Sequence, residues 1–111
     1  MVICHEILPD AYLLALAPDH TATAETELLL HLAHACRSGK PAVVVDCRLL
    51  DTVSDTAAWL LWACQQRLHR RHARMVLCQV SAAVESFLQR TLACTGTCPC
   101  MVPTLDDAAL A

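Results

Sequence analysis

Apolar residues along the 111-residue chain fall into short blocks whose period changes from block to block. VICHEIL, at 2 to 8, and AYLLALA, at 11 to 17, flank Pro9 and Asp10, whose turn chemistry predicts an antiparallel pair of strands. From 23 to 37, Leu28, Leu29, Leu32, Ala35 and Cys36 recur at helical spacing while Glu27, His31 and His34 lie off that stripe. Gly39 ends this helix. AVVVD at 42 to 46 and MVLCQV at 75 to 80 are continuous Val-rich runs, the pattern of strands covered on both faces. A helix joins them, which predicts parallel pairing through a right-handed crossover.

That joining helix opens at Ser54 and Asp55. Ala57, Leu60, Leu61, Cys64 and Leu68 fall within one stripe, and Trp59, Trp62 and Gln66 fall on the opposite side. Ser81 is a suitable N-cap for a third helix carrying Val84, Phe87, Leu88, Thr91 and Leu92. CTGTCPCMVP, at 94 to 103, is irregular with room for one short strand, and Thr104 with Asp107 forms a capping-box-like start to a last short helix. The sum is one α/β domain over residues 1–111. A small mixed sheet, an N-terminal antiparallel hairpin plus parallel strands, packs against about four helices.

Composition narrows the function. A hydrophobic fraction of 56% with two Gly and five Pro describes a well-filled globular chain. The net charge of −3 gives no drive toward nucleic acid, and the basic run RLHRRHAR at 67 to 74 reads as a solvated helix end and turn. The N-terminus has no basic region followed by a long apolar one, and no stretch reaches the roughly 18 apolar residues of a membrane span. A cytoplasmic protein without direct membrane insertion is expected. Its eight cysteines are then free thiols in a reducing compartment, with Cys4, Cys36, Cys47, Cys64 and Cys78 set singly in apolar segments as small core residues. Cys94, Cys98 and Cys100 are weak candidates for a metal or redox site, since their spacing matches no common zinc pattern. No Gly-rich phosphate loop, nucleophile elbow or His-x-x-x-His pattern occurs, and Asp46, Asp51 and Asp55 lack an evident acid/base partner. Neither enzyme activity nor a cofactor is expected.

VVVDCRLLDTVSDTAAWLL, MVLCQVSAAVESFL and VPTLDDAAL, in this order, resemble the STAS domain, the fold of bacterial anti-sigma-factor antagonists and of the cytoplasmic tails of some anion transporters. The resemblance covers nearly the whole chain. It implies a non-catalytic regulatory module whose serine, in an Asp-Ser pair at the mouth of the second helix, is phosphorylated by a kinase that is also the anti-sigma factor. Counting forward from Asp46 and back from Leu61 places the family's Asp at Ser54 and its phosphorylatable Ser at Asp55, so the pair is reversed. The family's glycine falls at Ala57. A carboxylate at a helix N-terminus shares the electrostatic preference of a phosphoserine there. Asp55 is therefore expected to cap the helix through its side chain and to imitate the modified state, with Ser54 an alternative phosphoacceptor.

The resemblance also implies a partner-docking surface at this helix start and its adjacent loops, which contain Asp46, Asp51, Thr56, Trp59 and Trp62. The tryptophans either form that surface, or a homodimer contact, or tuck beneath a neighbouring helix or loop. The expected partner is a protein, an anti-sigma factor or serine-kinase-like ATPase. A second reading is an accessory subunit docked on a membrane transporter's ATPase, and a third is a cysteine-based metal or redox sensor.

Overall fold

The computed structural model describes residues 2–18 and 24–104. β1 (Val2–Ile7) and β2 (Tyr12–Ala17) pair antiparallel, Ile7 opposite Tyr12 and Val2 opposite Ala17. The turn closes where the Leu8 amide donates to the Ala11 carbonyl at 2.8 Å, with Pro9 and Asp10 at its centre. α1 (Ala24–Arg37) ends in a turn whose Gly39 adopts φ +77°, a left-handed conformation that costs glycine no Cβ clash.

β3 (Ala42–Asp46) follows, then α2 (Asp55–Arg70), β4 (Arg74–Cys78), α3 (Ala82–Thr91), a 3₁₀ turn (Ala93–Thr95) and β5 (Cys100–Val102). The strand order is β1-β2-β3-β4-β5, and every pair after the hairpin is parallel. β3 and β4 are therefore adjacent and parallel, Val45 opposite Leu77, as their two-sided apolarity predicts. The architecture is a mixed α/β sheet with three α-helices among the described residues. The fourth expected helix, begun by Thr104 and Asp107, lies beyond them but for Thr104 itself.

Strand alternation decides which residues meet the helices. Leu14, Leu16, Val43, Val45, Met75 and Leu77 pack with Leu28 and Leu32 of α1, Leu61 and Leu68 of α2, and Leu88 of α3 in one continuous core. The intervening positions Val44, Val76 and Cys78 form a smaller buried cluster on the other face, with Ala11, Leu13 and Val102 against it. All three helices thus line one face of the sheet. Burying each large aliphatic of the main core contributes about 1.5–3 kcal/mol. Leu29, expected on the buried stripe, is 51% exposed. It sits about 100° round the helix from Leu28, outside the arc that meets the sheet.

The basic run behaves as a helix end and turn. Arg67, His69 and Arg70 occupy the last turn of α2, where cations complement the helix dipole. His72 then takes φ 61°, and the Ala73 amide returns to the Leu68 carbonyl at 2.9 Å. The turn redirects the chain into β4 in three residues.

Candidate functional site

The site is built where the loop after β3 meets the start of α2. Asp46 ends β3, half-buried, and its Oδ1 accepts the Arg48 amide at 2.9 Å, which folds the chain back at the strand end. By alternation it faces the side of Val44, away from the helices, so it is not gathered with the other candidates. Leu50 and Val53 bury as the loop's apolar anchors, leaving Asp51 exposed between them.

Ser54, not Asp55, caps α2. Its backbone is extended (φ −75°, ψ 161°), its Oγ accepts the Ala57 amide at 3.1 Å, and its carbonyl accepts the Ala58 amide at 3.0 Å. Both residue types cap well, but one backbone position fills the role, and Ser54 occupies it. Asp55 becomes the first helical residue, with its carboxylate in solvent at the positive end of the helix dipole. Thr56 is exposed beside it, and Ala57 is buried with 1% exposure.

The Ser54 hydroxyl is committed on its other side as well, because its proton goes to Glu25 Oε1 at 2.8 Å. Glu25 lies in the first turn of α1. This hydrogen bond, followed by one from the Glu25 backbone, holds the Glu25 carboxyl below its ordinary pKa. The link ties the N-termini of α1 and α2 across 29 positions of sequence, a separation at which no local pattern signals a contact.

One turn into α2, Trp59 is 39% exposed and meets Trp62 edge-on, with ring centroids 5.7 Å apart at 79°. Trp62 is half-buried, and its indole N–H donates to Thr97 Oγ1 at 3.0 Å in the loop before β5. Trp62 is thus fastened by a loop, as one of the two expectations has it, and Trp59 is exposed. Asp51, Val53, Phe87 and Arg90 line a cavity of about 330 Å³ between the β3–α2 loop and α3. Asp51, Asp55, Thr56 and Trp59 are each exposed.

Cys94, Cys98 and Cys100 are exposed, one in the 3₁₀ turn, one in the loop and one in β5. Among the described residues no three His, Cys, Asp or Glu side chains are placed to hold a metal ion, so these thiols are not gathered at one point. Sequence reasoning also missed a second cavity, of about 250 Å³, where β1 meets α1. There His5 stacks on Tyr12 at 5.8 Å and lies 5.6 Å from His31. Burial, then the neighbouring His5, lowers the His31 pKa. No described helix is long and apolar enough to cross a membrane.

A five-stranded sheet with an antiparallel first pair, parallel pairing thereafter and helices on one face is the STAS fold. Solved structures of that class superpose on the chain. RsbS of Moorella thermoacetica, in a serine-to-glutamate form, matches with TM-score 0.80 and 16% identity over 96% of this chain and 91% of its own. An anti-sigma-factor antagonist (STAS) domain protein from Planctomyces limnophilus gives 0.76 and 17% over 97% and 94%. The Bacillus cell-fate determinant SpoIIAA in its phosphorylated form gives 0.73 and 14% over 98% and 96%. No family model matches the sequence, and no curated protein matches it.

Proposed function

We propose that the protein is a non-catalytic regulatory module of the anti-sigma-factor-antagonist type, acting in the cytoplasm by binding another protein through the start of α2. The observation that carries this reading is the chemistry at that helix mouth within a STAS fold: Asp55, an exposed carboxylate, stands first in the helix where the resemblance places a phosphorylatable serine. Asp55 holds a permanent −1 charge at the position where a phosphoserine would carry about −1.5 to −2. The module then remains in the state that relatives reach by phosphorylation.

The surroundings of Ser54 support Asp55 over Ser54 as the switch position. A phosphate on Ser54 removes the proton donated to Glu25 and sets a dianion against that carboxylate, within the 2.8 Å contact of the present hydroxyl. It also disturbs the oxygen that caps α2. Trp59, exposed one turn further on, supplies the aromatic anchor of the docking surface. The partner is an anti-sigma factor or serine-kinase-like ATPase.

The test has two arms. Tagged protein captures its partner, identified by mass spectrometry as a serine-kinase-like ATPase, and Trp59→Ala weakens that association by about 2 kcal/mol with the fold intact. With the captured kinase and ATP, intact mass shows no phosphate on the wild type and one on Asp55→Ser. Phosphate on wild-type Ser54 overturns the assignment of Asp55. A transporter ATPase as the captured partner replaces the anti-sigma reading with the accessory-subunit one.

A further inference from the structure

α1 and α2 run side by side in the same direction. Glu25 meets Ser54 near their N-termini, and further along Cys36 meets Cys64, so 11 residues of α1 run beside 10 of α2. At about 1.5 Å per residue the two contacts are separated by 15 to 16.5 Å along either helix. The second contact is between sulfurs. Cys36 Sγ and Cys64 Sγ lie 3.2 Å apart in the buried seam, and Cys36 Sγ is 4.0 Å from the Cys64 carbonyl.

Two thiols in a core need not touch. Cys47 and Cys78 are also buried, yet Cys47 packs in the main core and Cys78 in the smaller cluster on the other face of the sheet. Cys36 and Cys64 are about an ångström from the ~2.05 Å of an S–S bond, on facing sides of two helices already aligned by the Ser54–Glu25 link. Cys36 is the more reachable at 9% exposure, against 3% for Cys64. Burial, then the Cys36 contact, raises the Cys64 pKa, which keeps that sulfur a protonated resolving thiol rather than the entry point.

We propose that Cys36 and Cys64 are a redox site, forming an intramolecular disulfide that fastens α1 to α2 when the protein meets a small peroxide. The Cys36 sulfur attacks one peroxide oxygen, the O–O bond breaks, and the leaving hydroxide takes the thiol proton as water. The Cys64 sulfur then attacks the resulting sulfenic sulfur. The S–S bond forms, the S–O bond breaks, and hydroxide leaves with the Cys64 proton as a second water. Two thiols are oxidised and one peroxide is reduced to two waters. The bridge closes a loop of 28 positions in the chain and constrains the unfolded state. It also fixes the register of α2, which carries Ser54, Asp55 and Trp59, against α1. This inference concerns the helix seam and stands whichever partner α2 binds.

The experiment uses the full chain with Cys4, Cys94, Cys98 and Cys100 replaced by Ser, so that only buried thiols remain. Treatment with hydrogen peroxide should remove 2 Da, yield a peptide joining Cys36 to Cys64, and raise Tm by several degrees, reversibly with dithiothreitol. Cys36→Ser in that background should abolish all three effects. If the quadruple variant does not fold, the wild-type protein is alkylated at its exposed thiols with N-ethylmaleimide before oxidation, and the linked peptide is sought in the digest. Absence of the Cys36–Cys64 peptide, a Cys47–Cys78 bridge in its place, or a disulfide formed only between chains overturns the proposal.

Discussion

Ser54 carries three roles in one hydroxyl and one carbonyl: it accepts the Ala57 amide, accepts the Ala58 amide and donates to Glu25. Two expectations follow at the scale of single residues. Ser54→Ala should cost about 1 kcal/mol, and Asp55→Ala about 0.5 kcal/mol, since the second loses only a favourable charge at the helix end. Urea denaturation separates them, and a larger loss at Asp55 would return the cap to that residue. The second expectation is a titration. Because Ser54, then the Glu25 backbone, hydrogen-bonds the ionised carboxylate, the folded-state pKa of Glu25 lies below its unfolded value. A depressed carboxyl pKa contributes stability that is present above the unfolded value and is lost as pH falls through the folded one. Carboxyl NMR titration should find Glu25 low in the wild type and returned toward the ordinary glutamate value in Ser54→Ala. An unchanged Glu25 in the variant would show that Ser54 is not the cause. That Ser54 rather than Asp55 caps the helix was not decidable from the two adjacent cap-forming residues alone. The choice depends on which backbone is extended and on Glu25, a partner 29 positions away.

At the scale of elements, periodicity placed the helices well because each has one face against the same sheet. Leu61, Cys64 and Leu68 of α2 are buried as their spacing requires, and so are Val84 and Leu88 of α3, with Ser81 Oγ accepting the Val84 amide at 3.2 Å. The run Leu28-Leu29-Leu30 defeated the same reasoning. Three adjacent leucines cover about 200° of a helix, so the sequence alone does not select which one faces in. Leu28 has 0% exposure while Leu29 and Leu30 have 51% and 52%. Replacing the buried one should therefore cost far more than replacing its neighbours. Leu28→Ala and Leu68→Ala should each destabilise by about 3 kcal/mol, whereas Leu29→Gln and Leu30→Gln stay within about 0.5 kcal/mol. Thermal or urea unfolding of the four variants checks this. A loss above about 2 kcal/mol at Leu29 would place that side chain in a core contact. The tryptophan pair shows the same limit of periodicity from the outside. Helical spacing turned both rings off the core stripe, but only the tertiary position of Thr97 separates Trp62, which is held, from Trp59, which is presented.

Across the whole molecule, the sheet sorts the eight cysteines by strand position and helix face rather than by local sequence. Cys36, Cys47, Cys64 and Cys78 are buried, and Cys4, Cys94, Cys98 and Cys100 are exposed. The apolar surroundings predicted burial for the first four, and for Cys4 as well. Cys4 differs because it lies in β1, an edge strand with one neighbour, whereas Cys78 ends β4 between two neighbours. Burial pushes the Cys47 thiol up to about 12 and raises Cys78 and Cys64, so these groups hold little thiolate near neutral pH and little access to a reagent. Cys98 is raised by partial burial, then by Glu85, and should be the slowest of the exposed set. A bulky aromatic disulfide reagent at pH 8 should then consume about four thiols rapidly in the native, fully reduced protein and all eight after unfolding, with Cys98 last among the native four. Mass mapping of the labelled sites decides the outcome. Rapid native labelling of Cys47 or Cys78 would mean that the strand ends of β3 and β4 open on the timescale of the reaction. Labelling of Cys64 before unfolding would mean that the α1–α2 seam opens, and the redox partners would then lie in a mobile interface rather than in a fixed one.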